Sequence, residues 1–447
     1  MKRGLSLLLA LLMILVLVPS FASAETKVVN VVLANNPLSQ ALADLAKENY
    51  KKDGVEINIA ILPENDMREK LTTEASSGGN AYDMFYIGPY EAQTWARNGW
   101  LEDLTPYFEA MTEEQKAWYD YADLIPGMMQ SLALDGKQYA IPYYGESSFI
   151  MYNKELFDKA GLTMPEKPTW TEIYDLAVAL QKALGEDYVG MTMRGMPGWG
   201  MSGAPFVTMV NAFGGQFYDM DWNAKVDTAE QRAAWEMYKK ILRDAGQKDI
   251  LSYSYNECIA LMMTGKCGMY YDATSICAGF EAEGSPIKGK MGYVAAPHQV
   301  KETNTSWLWN WAMGINPKSD KKQEVFDFML WATSKDFINL TLEKDPSGAS
   351  TPQASRSSLY SLPAYANVPY APATLAALQS MDFNDPCVNP VPYTGLQYIA
   401  IPEFADAGDK MTQWLAEFVT DQITLDQAIA NTQALFEEIA VEGEYKG

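Results

Sequence analysis

At 447 residues the chain is long enough for two domains or one large α/β body. Its formal net charge of −23 argues against nucleic acid and anionic membrane surfaces as partners. A single histidine, His298, removes most Ser-His-Asp, Cys-His and His-rich metal arrangements.

Residues 1–24 read as a secretory leader. Lys2 and Arg3 open it, Leu5 to Val18 is its apolar run, and Ala22-Ser23-Ala24 offers a small-residue cleavage site. Glu25 then becomes the first residue, and the mature chain is more acidic by two charges. The first cysteine is Cys258, so no lipid attachment is expected. No other stretch approaches ~18 unbroken apolar residues, the length of a spanning helix.

Lys27 to Ala34 is a β-branched run typical of a strand buried on both faces. Asn36-Pro37 supplies a helix cap and a proline at the first helical position, and the helix runs to Tyr50. Val55, Ile57, Ile59 and Ile61 alternate as a second strand. Met67, Leu71 and Ala75 mark a second helix, ended by Gly78-Gly79. Tyr82 to Ile87 is a third strand. This β-α-β-α-β order predicts parallel strands with right-handed crossovers. Ligands of such sheets sit beyond the carboxyl ends of the strands, here Asn35-Asn36, Glu64-Asn65 and Gly88 to Tyr90.

Glu91 to Phe108 reads as helix, with Pro106 inside the next turn of helix after Gly99 to Leu104. Tyr139 to Ile141 is a short strand, which Pro142 is expected to interrupt by removing a backbone donor. Tyr143 to Ser148 forms a polar and aromatic cluster. A second strand, Phe149 to Tyr152, runs into Asn153 and a helix. This is the pattern of a chain leaving one lobe for another, and equally of a hairpin with a solvated tip. Trp170 to Leu184 and Asp227 to Ala245 are amphipathic helices. Met191 to Gly203 is a loop rich in Gly and Met that carries Arg194 and Trp199. Asn256 to Thr264 is helix, and Lys266 to Tyr271 is strand, so Asp272 falls where a strand ends and a helix begins. Met291 to Ala296 and Ser306 to Ile315 are strands, and Lys322 to Thr333 is helix. Ser347 to Tyr370 and Met381 to Pro392 are irregular. Glu403 to Ile439 contains two helices, with Thr424 as cap. Cys258, Cys267, Cys277 and Cys387 form no C-x-x-C pair, which leaves disulfides and buried thiols both open. His298, at a strand exit, is read as structural.

Several words carry a resemblance. Asp135 to Pro142 (DGKQYAIP), Tyr152 to Leu162 (YNKELFDKAGL), Pro168 to Glu172 (PTWTE) and Gly99 to Leu104 (GWLEDL) resemble extracellular solute-binding proteins of carbohydrate ABC importers. Pro63 to Thr73, Tyr144 to Ser148, Arg194 to Gly200, Gly265 to Thr274, Trp307 to Ala312 and Pro392 to Phe404 resemble the sugar-alcohol branch that binds mannitol and sorbitol. The resemblance implies a two-lobed α/β periplasmic-binding-protein fold with a hinge and a ligand cleft between the lobes. It places 25–141 and 295–345 in the N-terminal lobe, and 142–294 and 346–447 in the C-terminal lobe. It implies a periplasmic monomer that needs no cofactor or metal. Such a protein captures a polyol or small carbohydrate and delivers it to a membrane ABC permease.

The residue chemistry agrees. A hydroxyl is both donor and acceptor, so carboxylates, Arg and Asn/Gln fix it, and aromatic faces cover its C–H surface. Candidate ligand-binding residues are therefore Asn35, Glu64, Arg68, Tyr90, Glu146, Arg194, Trp199, Asp272, Trp309 and Tyr393. Each has a plainer role open to it. Arg68 can pair with a surface acid, and Glu64 can serve a helix dipole. Asp272 can cap a helix, and Trp307, Trp309 and Trp311 can all be core. An enzyme using paired carboxylates, a glycosidase or lyase, is the alternative. The chain has no P-loop, dinucleotide glycine motif or nucleophile elbow.

Overall fold

The computed structural model describes residues 26–446, so the leader and its cleavage site lie outside them. The strands used below are β1 (Lys27–Ala34), β2 (Val55–Leu62), β3 (Met84–Ile87), β4 (Ala140–Glu146), β5 (Ser148–Asn153), β6 (Val189–Thr192), β7 (Cys267–Ala273), β8 (Met291–Val294) and β9 (Trp309–Ile315). They form two main sheets, ordered β2-β1-β3-β9-β4 and β8-β5-β7-β6. β1 is parallel to β2 and β3, and β9 runs antiparallel between β3 and β4. Helices pack against both sheets, which makes the two-lobed α/β architecture.

The local signals of the first βαβ units hold. Asn36 Oδ1 accepts the Ser39 N–H at 2.9 Å, and Pro37 opens the helix Pro37–Asn49. Gly78, at φ 69°, closes the helix Glu64–Ser77 in the left-handed region. The helical stretch from Glu91 to Phe108 is two helices. Pro89–Arg97 ends at Gly99, whose φ is 68°, and Thr105–Ala110 restarts with Pro106 in its first turn.

Pro142 does not interrupt its strand. β4 runs through it to Glu146. Trp311 faces Tyr144 and Ala312 faces Pro142, so Tyr143 is bulged out of the ladder. Proline is tolerated at sheet edges and at bulges, and β4 offers both. Ser147 alone then separates β4 in one sheet from β5 in the other. The return runs from Val294 to Trp309. Its early part still belongs to the second lobe: Val300 and Lys301 N–H both donate to Ala212 O, and Trp170 N–H donates to His298 O. The last passage follows Arg356, whose guanidinium binds the carbonyls of Thr333, Asp120 and Tyr119 in the first lobe.

The helix Gly203–Ala212, which carries no readable period, is buried on every side. Lys335–Lys344 and Ala371–Gln379 are further helices in stretches where none was expected. The four cysteines are buried free thiols.

Candidate ligand-binding site

A cavity of about 190 Å³ lies between the lobes at the carboxyl ends of β1 and β2. The first lobe contributes Asn36, Glu64, Arg68, Tyr144 and Glu146, and the second contributes Arg194, Trp199, Tyr255, Asn256 and Ser275. The ladder of β4 and β9 explains part of this wall. Trp309 pairs with Glu146 and Trp311 with Tyr144, and the period of two points all four to one face. Trp307 continues that series ahead of the strand, so all three tryptophans line the cavity.

Arg68 sits in a cage of rings. Its Cζ lies 4.7 Å from the Trp311 ring, 4.9 Å from Trp199 and 5.3 Å from Trp309. Its Nε donates to Glu64 at 3.0 Å, and a second nitrogen donates to Glu91. Burial opposes the charge, but Glu91 and Glu64 outweigh it and hold the guanidinium pKa above its ordinary value. The cage itself depends on Gly88, because a Cβ there would lie 1.9 Å from Trp309 Cζ2.

Arg194 is held by Asp272 through two bonds, Nε to Oδ2 at 2.7 Å and Nη2 to Oδ1 at 2.5 Å. A third bond goes to Gly200 O at 2.8 Å. The guanidinium lies 5.2 Å from the Tyr255 ring and 5.5 Å from Trp307. Asp272 is inside β7, fully buried, and does not line the cavity. Its carboxylate also accepts Tyr270 Oη–H at 2.6 Å and its neighbour Ala273 N–H at 2.7 Å. Asp272 therefore positions Arg194 and has neither a ligand-facing surface nor a helix to cap.

Glu146, the last residue of β4, accepts Ser275 Oγ–H from the other lobe at 2.6 Å. Burial pushes its carboxyl up to about 7, and Ser275 and Arg194 offset only part of the shift. The folded state thus holds this proton more tightly than the unfolded state. The resulting stability is complete below about pH 4.5 and is lost as pH rises through 7, at up to about 1.4 kcal/mol for each unit. Urea melts of the unliganded protein at pH 5 and pH 8 should show this loss in the wild type and less of it in Glu146→Gln. Equal pH dependence in both proteins would remove the assignment.

Six of the ten expected residues line this cavity: Glu64, Arg68, Glu146, Arg194, Trp199 and Trp309. Four do not. Asn35 is exposed and spends its N–H on Leu62 O; its neighbour Asn36 takes the position instead. The Tyr90 hydroxyl is a link between the lobes: it donates to Pro402 O at 2.8 Å and accepts Ala405 N–H at 3.1 Å. Tyr393 is buried within the second lobe and accepts Phe217 N–H at 3.1 Å. Asp272 acts from behind. Tyr255, Asn256, Ser275 and Gln397 also line the cavity and were not among the candidates. Only the position of Ser275 after β7 carried a signal in the sequence.

A model of the bacterial extracellular solute-binding protein family matches residues 35–337. The chain is 34% identical over 413 residues to the mannitol-binding protein of Pseudomonas aeruginosa, covering 92% of each. It is 28% identical over 334 residues to the erythritol/L-threitol-binding protein of Mycolicibacterium smegmatis, covering 72% of this chain and 69% of that one. An ABC transporter solute-binding protein from Agrobacterium vitis, solved with bound D-mannitol, superposes with a TM-score of 0.86 at 36% identity, over 93% of this chain and 99% of that one. A ribitol complex from Agrobacterium radiobacter, at 20% identity and a TM-score of 0.80 over 93% and 99%, shares the fold. The chain belongs to the family of bacterial extracellular solute-binding proteins.

Proposed function

We propose that the protein captures a neutral linear polyol of hexitol size, D-mannitol first among them, and hands it to a membrane ABC permease. It is a binding component and not an enzyme. The observation that carries the polyol reading is the wall composition: tryptophans packed edge to face lie beside ion pairs that already satisfy each other's charge. Such a wall offers a hydroxylated chain many donors and acceptors and a flat C–H platform, without a free charge to neutralise.

Arg68 and Arg194 each keep N–H groups for ligand oxygens, and Glu64 and Glu146 accept from ligand hydroxyls. Gln397 gives its Nε2 hydrogen to Leu308 O at 3.0 Å, and its buried Oε1 has no partner among the described residues, so a ligand hydroxyl can donate to it. Trp307, Trp309 and Trp311 pack against the carbon chain. Because both lobes contribute, a bound polyol favours the closed arrangement by contacts it makes only there. On this reading the mature chain starts at Glu25 and works in the periplasm as an unlipidated monomer, and protein from the envelope fraction should show the corresponding intact mass. A lipid adduct or a retained leader would overturn that processing.

Calorimetric titration with D-mannitol, D-sorbitol and ribitol tests the function. Micromolar binding corresponds to about −8 kcal/mol. Over the about 12 heavy atoms of a hexitol this is ~0.7 kcal/mol per atom, inside the range for small ligands. We expect a low-micromolar or tighter Kd for at least one hexitol. If no polyol, mono- or disaccharide raises the melting temperature at millimolar concentration, the reading is wrong.

A further inference from the structure

The cavity contains two cations, Arg68 and Arg194, and both are neutralised from outside it. Asp272 does this for Arg194 from within β7. For Arg68 the outside partner is Glu91, which is buried and does not line the cavity. Glu91 stands at the third position of the helix Pro89–Arg97. One carboxylate oxygen accepts the Gly88 N–H at 3.0 Å, and the other accepts from Arg68. Glu64 supplies a second carboxylate to the same guanidinium from inside the wall. Glu64, Glu91 and Asp272 thus set three carboxylates against the two guanidiniums.

We propose that Glu91 determines specificity in this site: by neutralising Arg68 from behind, it makes the cavity select neutral polyols and reject their carboxylate counterparts, the aldonates. This rests on the polyol reading above. An aldonate differs from a hexitol by one terminal CH2OH oxidised to a carboxylate. In this cavity that anion meets the Glu64 carboxylate and finds no uncommitted cation to balance it. Losing hydration without gaining an ion pair makes it a poor ligand. An arginine freed of Glu91 is the natural partner for such a carboxylate, since its fork can bind both oxygens.

Glu91→Gln isolates the charge. The amide oxygen still accepts the Gly88 N–H, so the helix cap survives while the negative charge goes. Wild type, Glu91→Gln and Glu64→Gln are titrated with D-mannitol and with D-mannonate, and melting curves check that each is folded. We expect wild type to bind D-mannonate at least 100-fold more weakly than D-mannitol. Glu91→Gln should narrow that ratio tenfold or more. Glu64→Gln should narrow it in the same direction while also weakening D-mannitol, because Glu64 faces the ligand. A purely structural role for Glu91 would weaken both ligands alike and leave the ratio unchanged. An unchanged ratio in the folded variants, or equal binding of both ligands by wild type, overturns the proposal. If Glu91→Gln does not fold, Glu64→Gln decides. If wild type binds no polyol at all, the polyol reading fails, and this proposal falls with it.

Discussion

Asp272→Ala is expected to cost the unliganded protein about 3–5 kcal/mol, far more than the loss of a helix cap. The residue is fully buried, and four hydrogen bonds converge on its carboxylate. Removing it strands the Arg194 guanidinium, itself nearly buried, with only Gly200 O as a fixed partner. A buried charge without its counter-charge is among the costliest single changes a fold can suffer. Polyol affinity should fall as well, at least tenfold, because Arg194 is no longer held between Tyr255 and Trp307. Asp272→Asn keeps an acceptor for the Ala273 N–H but not the charge, and should fall between the two. Urea melts and calorimetric titrations of both variants measure this. A loss of binding with unliganded stability within about 1 kcal/mol of wild type would instead mean that Asp272 touches the ligand itself.

The second large effect is expected from one added methyl group. In Gly88→Ala the new Cβ would lie 1.9 Å from Cζ2 and 2.3 Å from Cη2 of Trp309. The backbone is not the obstacle, since Gly88 has φ −104° and ψ −178°, which any residue adopts. The tryptophan must move instead. Its ring is boxed by Trp199, Trp311 and Tyr398, each with its centroid 5.9 Å away. The open direction is the cavity. The displaced ring then occupies ligand volume, so polyol binding should weaken at least 100-fold. The stability cost should be only the ~1–3 kcal/mol typical of an overpacked site. Trp309→Phe in the same chain relieves the clash, and the double variant should bind better than Gly88→Ala alone. Wild-type affinity in Gly88→Ala would mean that the ring has another way out.

Much of the fold was legible because its signals are local. The cap Asn36-Pro37, the stop Gly78, the alternation of β2 and the cap Thr424 each act within a few residues, and each stands as read. Pro142 was misread because its cost depends on sheet position. Only the sheet order shows that β4 is an edge and that the ladder bulges at Tyr143. The helix Gly203–Ala212 was missed because burial on every side erases the period that reveals a helix.

The site divides the same way. Residue type and a place at a strand end were enough to bring Glu64, Arg68, Glu146, Arg194, Trp199 and Trp309 onto one list, and these line one cavity. Sequence could not tell a wall residue from one standing behind the wall. Asn35 and Asn36 differ by one position, and the turn into the helix decides which faces the cleft. Asp272 and Arg194 are 78 positions apart, and their bond exists only because β7 lies beside the strand that leads into the Arg194 loop. Glu91 reaches Arg68 from a neighbouring helix of the same lobe. By itself, the sequence determined most of the elements and the chemical types at the cleft, because backbone preferences and side-chain chemistry are carried by each residue, while the two-lobed class came from its resemblance to a known family. Only the tertiary structure decided which carboxylates meet the ligand and which neutralise the arginines, because that depends on distances between segments far apart in the chain.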